Sequence, residues 1–144
     1  MKSAKISQNR LQKNSRTHCF NRYNMKQGDK YTLTRTVADT ETAEILGSGG
    51  LPVYATPAMI CHMELASYEL AAQHGHQTVG TKVNISHLRA CKAGTEVTVT
   101  AELTEVDSRR LEYNVKVEDK DGLIGEGSHQ RFIIDPERFM SKLK

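Results

Sequence analysis

From residue 31 onward the apolar positions change period at definite points, and each change predicts an element. Tyr31-Thr-Leu-Thr-Arg-Thr-Val37 alternates and is rich in β-formers, which predicts a first strand. Residues 38–55 hold Asp39, Thr40, Gly47, Ser48, Gly49, Gly50 and Pro52, a long connection with one helical turn around Thr42–Leu46. Its Gly-Ser-Gly-Gly-Leu-Pro run reads as a mobile loop where a lid would sit. A helix follows, with Thr56 suited to the N-cap, Pro57 to the first helical position and Gly75 to a stop after about Gln73. From Ala58 to Ala66 it is apolar on nearly every face except at His62 and Glu64, which predicts a helix surrounded by protein.

Four more alternating segments come next. In Thr78–Leu88, Val79, Val83, Ile85 and His87 share one face. In Thr95–Val106, Val97, Val99, Ala101 and Leu103 alternate with polar residues, and Arg110–Glu118 repeats the pattern with Leu111, Tyr113, Val115 and Val117. Asp107-Ser-Arg and Asp119-Lys-Asp-Gly supply hairpin turns. Leu123–Ile134 closes the set, with Gly125 and Gly127 hinting at a bulge or a close backbone approach, and Asp135-Pro136 opens a short terminal helix. The order β–α–β–β–β–β, one apolar helix against a meander, is α+β. It predicts a hot-dog fold, a long central helix wrapped by a five-stranded, mainly antiparallel sheet.

Composition adds one correction to this picture. The formal charge is +3, yet residues 1–24 hold six basic side chains and no acid, so the remaining 120 residues carry 14 basic and 17 acidic groups. The basicity belongs to a tail, and the body has no general attraction for nucleic acid or anionic lipid. Residues 1–24 therefore read as a basic, dispensable extension and residues 25–144 as one domain. A transit peptide is the other reading of the tail, and a nucleic-acid-linked role would rest on the tail alone. No apolar run reaches the roughly 18–20 residues of a membrane helix. Cys19, Cys61 and Cys91 share no CxxC spacing and read as reduced thiols of a cytoplasmic protein.

Candidate chemistry begins with Glu64. A carboxylate on an apolar helix must find a partner, shift its pKa or do chemistry. His87 interrupts an apolar strand face, and Thr56 stands where helix N–H groups and the dipole favour a developing oxyanion. Each has a plainer alternative: Thr56 as a cap, Glu64 as a satisfied acid or interface residue, His87 as a core histidine. Glu64 lies two turns beyond Thr56, rotated by roughly 80° at about 100° per residue, so the two border one pocket without forming a tight pair. His87 on the adjoining strand can meet the carboxylate. The pairs His62–Glu64 and His74–His76 match no metal-ligand spacing, so no metal is expected.

Pro52-Val-Tyr-Ala-Thr-Pro-Ala-Met59, Met63-Glu64, Thr78-Val-Gly-Thr81, Ser86-His87, Gly94, Arg109-Arg110-Leu111 and Ile124-Gly-Glu-Gly-Ser-His-Gln-Arg131 occur in that order. Together they resemble the small hot-dog thioesterases related to fluoroacetyl-CoA thioesterase, over roughly residues 26–142. The resemblance implies hydrolysis of a small acyl-CoA by Thr56, Glu64 and His87, with Glu64 as nucleophile or as general base toward water. It also implies that Gly80 and Arg131 line the acyl end of the pocket. Coenzyme A would be part of the substrate, with no further cofactor, and the working unit a homodimer or dimer of dimers with sites at the subunit interface. Two departures limit the transfer. The fluoroacetyl-specific enzyme gates its site with phenylalanines before the helix, and residues 43–54 contain none; Gln130 replaces a common glutamate. A non-catalytic acyl-CoA-binding or regulatory module is the alternative reading.

Overall fold

A computed structural model describes residues 24–144, so the basic extension lies, apart from Asn24, outside the described residues. Strand β1 (Lys30–Thr36) leads through a 3-10 turn (Asp39–Glu41) and a short helix α1 (Ala43–Leu46) to the long helix α2 (Thr56–Gln73). Strands β2 (Gln77–His87), β3 (Glu96–Asp107), β4 (Arg110–Asp119) and β5 (Gly122–Ile134) follow, and helix α3 (Pro136–Ser141) ends the domain. The five strands form one sheet in the order β1-β3-β4-β5-β2. All four pairings are antiparallel. The sheet curls around α2, which is the hot-dog arrangement that the element order predicts.

The core follows from alternation meeting helical period. Val97, Val99, Ala101 and Leu103 of β3 and Leu111, Tyr113, Val115 and Val117 of β4 are all buried. They meet Ala58, Met59, Met63, Ala66, Leu70 and Ala71, which with His62 and Ser67 make buried adjacent pairs every four residues along α2. Gly125 and Gly127 make the close approaches that their place in a strand suggests. A Cβ on Gly125 would stand 2.6 Å from Met59 Sδ, and one on Gly127 2.1 Å from the Asn84 carbonyl oxygen. A bulge is also present, where Val117 pairs Gly125 while Glu118 pairs Leu123.

Two expectations about α2 are corrected. The helix is not enclosed on all sides: Pro57, Cys61 and Leu65, spaced four apart, are exposed along its outer face. Nor is Thr56 the cap. Ala55 holds that position with extended backbone and no side-chain cap bond, and Thr56 is the first helical residue with Pro57 behind it. Its hydroxyl is thereby freed for another partner. At the other end the prediction holds, with Gln73 the last helical residue and Gly75 at φ +82°.

Candidate active site

Thr56 and His87 are brought together. The helix start and the end of β2 converge so that Thr56 Oγ1 lies 2.8 Å from His87 Nδ1. Neither side chain is forced there by regular structure, since Thr56 leaves the helix axis at its first turn and His87 is the last residue of its strand. His87 Nε2 is buried without a hydrogen-bond partner among the described residues. Burial lowers the histidine's basicity, partly offset by the nearby Arg89 backbone, and so favours the neutral ring. A neutral imidazole can take a proton from the threonine hydroxyl or orient it as an acceptor. The pair lines a cavity of ≈ 360 Å³ together with Tyr54, Ser48, Val53 and Leu88. The first-turn amides of α2 lack a side-chain cap there, which leaves the positive end of the helix dipole for an incoming oxygen.

Glu64, Gly80 and Arg131 form a second cluster. Arg131 is 6% exposed, which a charge tolerates only when its donors are matched. Its Nε donates to Thr78 Oγ1 at 2.8 Å and its Nη2 to the Thr78 carbonyl at 3.1 Å. Nη1 reaches Glu64 Oε2 at 3.3 Å and His129 Nε2 at 3.2 Å. His129 donates from Nδ1 to the Lys82 carbonyl at 2.8 Å, which makes Nε2 the acceptor for Arg131. Burial first, opposed by that carbonyl and reinforced by the Arg131 charge, lowers the basicity of His129 and keeps the ring neutral. Gly80 gives the carboxylate its space, because a Cβ there would stand 2.9 Å from Glu64 Oε2.

Glu64 is less buried than the apolar run around it predicts, with 42% of its side chain exposed. It lies to one side of the buried stripe, on the open flank of α2. Among the described residues no hydrogen bond joins it to Thr56 or His87, so the expected meeting of His87 with the carboxylate is absent within one chain. Eight residues of helix separate Glu64 from Thr56, about 12 Å along the axis. One chain therefore carries two half-sites: a hydroxyl–imidazole pair at the helix start, and an arginine-held carboxylate two turns further on.

Several polar side chains supporting the site are not evident from strand alternation. His62 lies on the buried stripe with Ala58 and Ala66, which signals a need for a polar partner, but that partner is distant in sequence. His62 Nε2 lies 2.6 Å from Glu41 Oε2, and Nδ1 lies 2.5 Å from the Tyr54 hydroxyl. Alternation places Thr78 opposite the Val79–His87 face, and a register shift between Gly80 and Lys82 turns it to the buried side, where it meets Arg131. His74 donates from Nδ1 to the Leu70 carbonyl at 2.9 Å at the helix end.

This fold, with its helix-start hydroxyl–imidazole pair and helix-borne carboxylate, defines a hot-dog protein of the thioesterase type. A family described as fluoroacetyl-CoA-specific thioesterase matches residues 37–137, and the chain belongs to that family. A fluoroacetyl-CoA thioesterase of Streptantibioticus cattleyicolor is 38% identical over 95 residues, 64% of this chain and 68% of the relative. A solved structure of the fluoroacetyl-CoA thioesterase FlK is 33% identical, with a TM-score of 0.78 over 83% of this chain and 96% of that one. A Thermus thermophilus protein described as a thioesterase superfamily member is 26% identical, with a TM-score of 0.74 over 82% and 90% of the two chains.

Proposed function

We propose that this protein hydrolyses a small acyl-CoA thioester to the free acid and coenzyme A. The observation that carries the reading is the Thr56–His87 pair, 2.8 Å apart at an uncapped helix start, on a chain whose helix also bears Glu64. The carboxylate, held by Arg131, serves as nucleophile toward the thioester carbonyl or as general base toward water. A new C–O bond forms as the C–S bond breaks, and the departing thiolate takes up a proton. The first-turn amides stabilise the oxygen charge that develops, while the Thr56 hydroxyl donates to His87 Nδ1 and so holds the ring that relays a proton from water to the departing thiolate. Gly80 and Arg131 shape the acyl end beside Glu64. Interception of an acyl-enzyme anhydride with hydroxylamine separates the nucleophile from the general-base role.

The working unit in this reading is a homodimer in a cytoplasmic setting. The roughly 12 Å between the half-sites of one helix supports a site assembled from the carboxylate of one subunit and the Thr56–His87 pair of the other. The open edge of β2 and the exposed apolar line Pro57, Cys61 and Leu65 support the same pairing. No described helix is long and apolar enough to cross a membrane.

The acyl group differs from fluoroacetyl in this reading. Residues 43–54 hold no phenylalanine, and that segment instead exposes Ile45, Leu46 and Leu51. Thiol release across a panel of short acyl-CoAs, fluoroacetyl-CoA included, tests the proposal with Glu64→Ala and His87→Ala beside the wild type. Both variants should lose about 10²-fold or more in kcat, the usual scale for a positioned acid or base. Hydrolysis undiminished in both would sink the assignment. Tight acyl-CoA binding without turnover in the wild type would mark a binding module instead.

A further inference from the structure

Behind the Thr56–His87 pair runs a chain of polar side chains that the proposed hydrolysis does not use. Arg35 Nη2 donates to Glu41 Oε2 at 3.0 Å, and the same oxygen lies 2.6 Å from His62 Nε2. A carboxylate can only accept, so His62 carries its proton on Nε2. Its Nδ1 is then the acceptor for the Tyr54 hydroxyl, 2.5 Å away. Burial, with the Arg35 charge, lowers the basicity of His62 against the pull of Glu41, which agrees with a neutral ring. Every donor direction from Arg35 to Tyr54 is thereby fixed, and the phenol proton is committed away from the cavity.

Tyr54 touches both histidines. Its ring stacks on His62 with centroids 5.7 Å apart and planes at 25°, and meets the His87 ring edge-on at 6.1 Å and 77°. Tyr54 and His62 are almost wholly buried. His87 needs such a wall, because its side chain has one side-chain hydrogen bond, to Thr56, and a second nitrogen with no partner. One side-chain bond, beside the nearby Arg89 backbone, leaves the tilt of the imidazole to be set by what it packs against. Glu41 also anchors backbone, accepting from Ala38 N–H on Oε1 at 2.9 Å and from Ala55 N–H on its carbonyl at 2.9 Å. The chain thus ties both ends of the 41–55 connection to the residue next to Thr56.

We propose that Arg35, Glu41, His62 and Tyr54 are a positioning set that holds the Tyr54 ring against His87 and keeps Nδ1 on the Thr56 hydroxyl. The inference rests on the reading of Thr56 and His87 as working groups of the hydrolysis. Four variants test it: Tyr54→Phe, His62→Leu, the pair together, and His62→Gln, whose amide supplies a donor for Glu41 and an acceptor for Tyr54. Tyr54→Phe and His62→Leu should each lower kcat about tenfold, the equivalent of roughly 1.4 kcal/mol in the barrier, with KM within about twofold. The double variant should fall no further than either single one, because each cuts the same chain. His62→Gln should recover most of the loss. Imidazole 15N shifts of His87 should move in Tyr54→Phe and His62→Leu and return in His62→Gln.

A role in stability alone would instead lower Tm while leaving kcat within about twofold and the His87 shifts in place, and that result overturns the proposal. If the wild type releases no thiol from any acyl-CoA, the hydrolysis reading fails by itself. The His87 shifts then decide the positioning claim without it. Tyr54→Phe keeps the ring volume, so the comparison survives poor folding of His62→Leu.

Discussion

At the level of single residues, the site is a set of proton positions fixed by neighbours. His87 offers Nδ1 to Thr56, and burial disfavours its charged form, so its ring titrates below the ordinary 6.5. Neutral His87 is the form that can accept the threonine proton. Activity should therefore be full above that ordinary value and fall as pH drops through the lowered one, giving an acid limb of kcat/KM below 6.5. The pH profile with a short acyl-CoA checks this, and an acid limb above 6.5 would contradict it. Residue types alone made Glu64, His87 and Thr56 conspicuous, since each is a polar group on an element with an apolar face. Their partners were not legible. Glu64 finds Arg131 across 67 positions of chain, and His62 finds Glu41 across 21, through the curl of the sheet rather than through any local period.

Elements were more legible than contacts, because alternation and helical period are local. The strands and the long helix lie within a residue or so of the predicted spans. What periodicity misjudged was the environment of α2. Its apolar residues suggested full enclosure, yet only the stripe facing the sheet is covered, and Pro57, Cys61 and Leu65 lie open. Glycines show how the elements press on the site. Gly127 lies with Asn84 backbone in the path of any Cβ, whereas Gly80 faces side-chain ends, the nearest being the half-exposed Glu64 carboxylate. Gly127→Ala should destabilise the fold by about 1–3 kcal/mol, since backbone cannot step aside without strain. Gly80→Ala should lower Tm less than Gly127→Ala and lower kcat several-fold by displacing the carboxylate. Thermal melts and thiol release on the two variants separate the effects. Equal loss of Tm in both would refute the distinction.

On the scale of the whole molecule, the proposed hydrolysis draws on two clusters that lie apart in one chain, and dimerisation is the step that would join them. Glu64 is held by Arg131 on the flank of α2, while Thr56 and His87 stand at its start, about 12 Å away along the axis. A twofold axis that paired two β2 edges would bring the carboxylate of one subunit toward the helix start of the other. Such shared sites make a prediction that a self-contained chain does not. Glu64→Gln and His87→Ala should each be nearly inactive alone. Unfolded together and refolded as a mixture, about half the molecules should be hybrid dimers with one wild-type site in two. The mixture should then regain about a quarter of wild-type kcat per chain, and separating the hybrids by affinity tags should concentrate that activity in them. If Glu64 and His87 work from the same chain, every site in the mixture is defective and nothing is regained. Sedimentation of the wild type as a monomer at assay concentration would defeat the shared site outright.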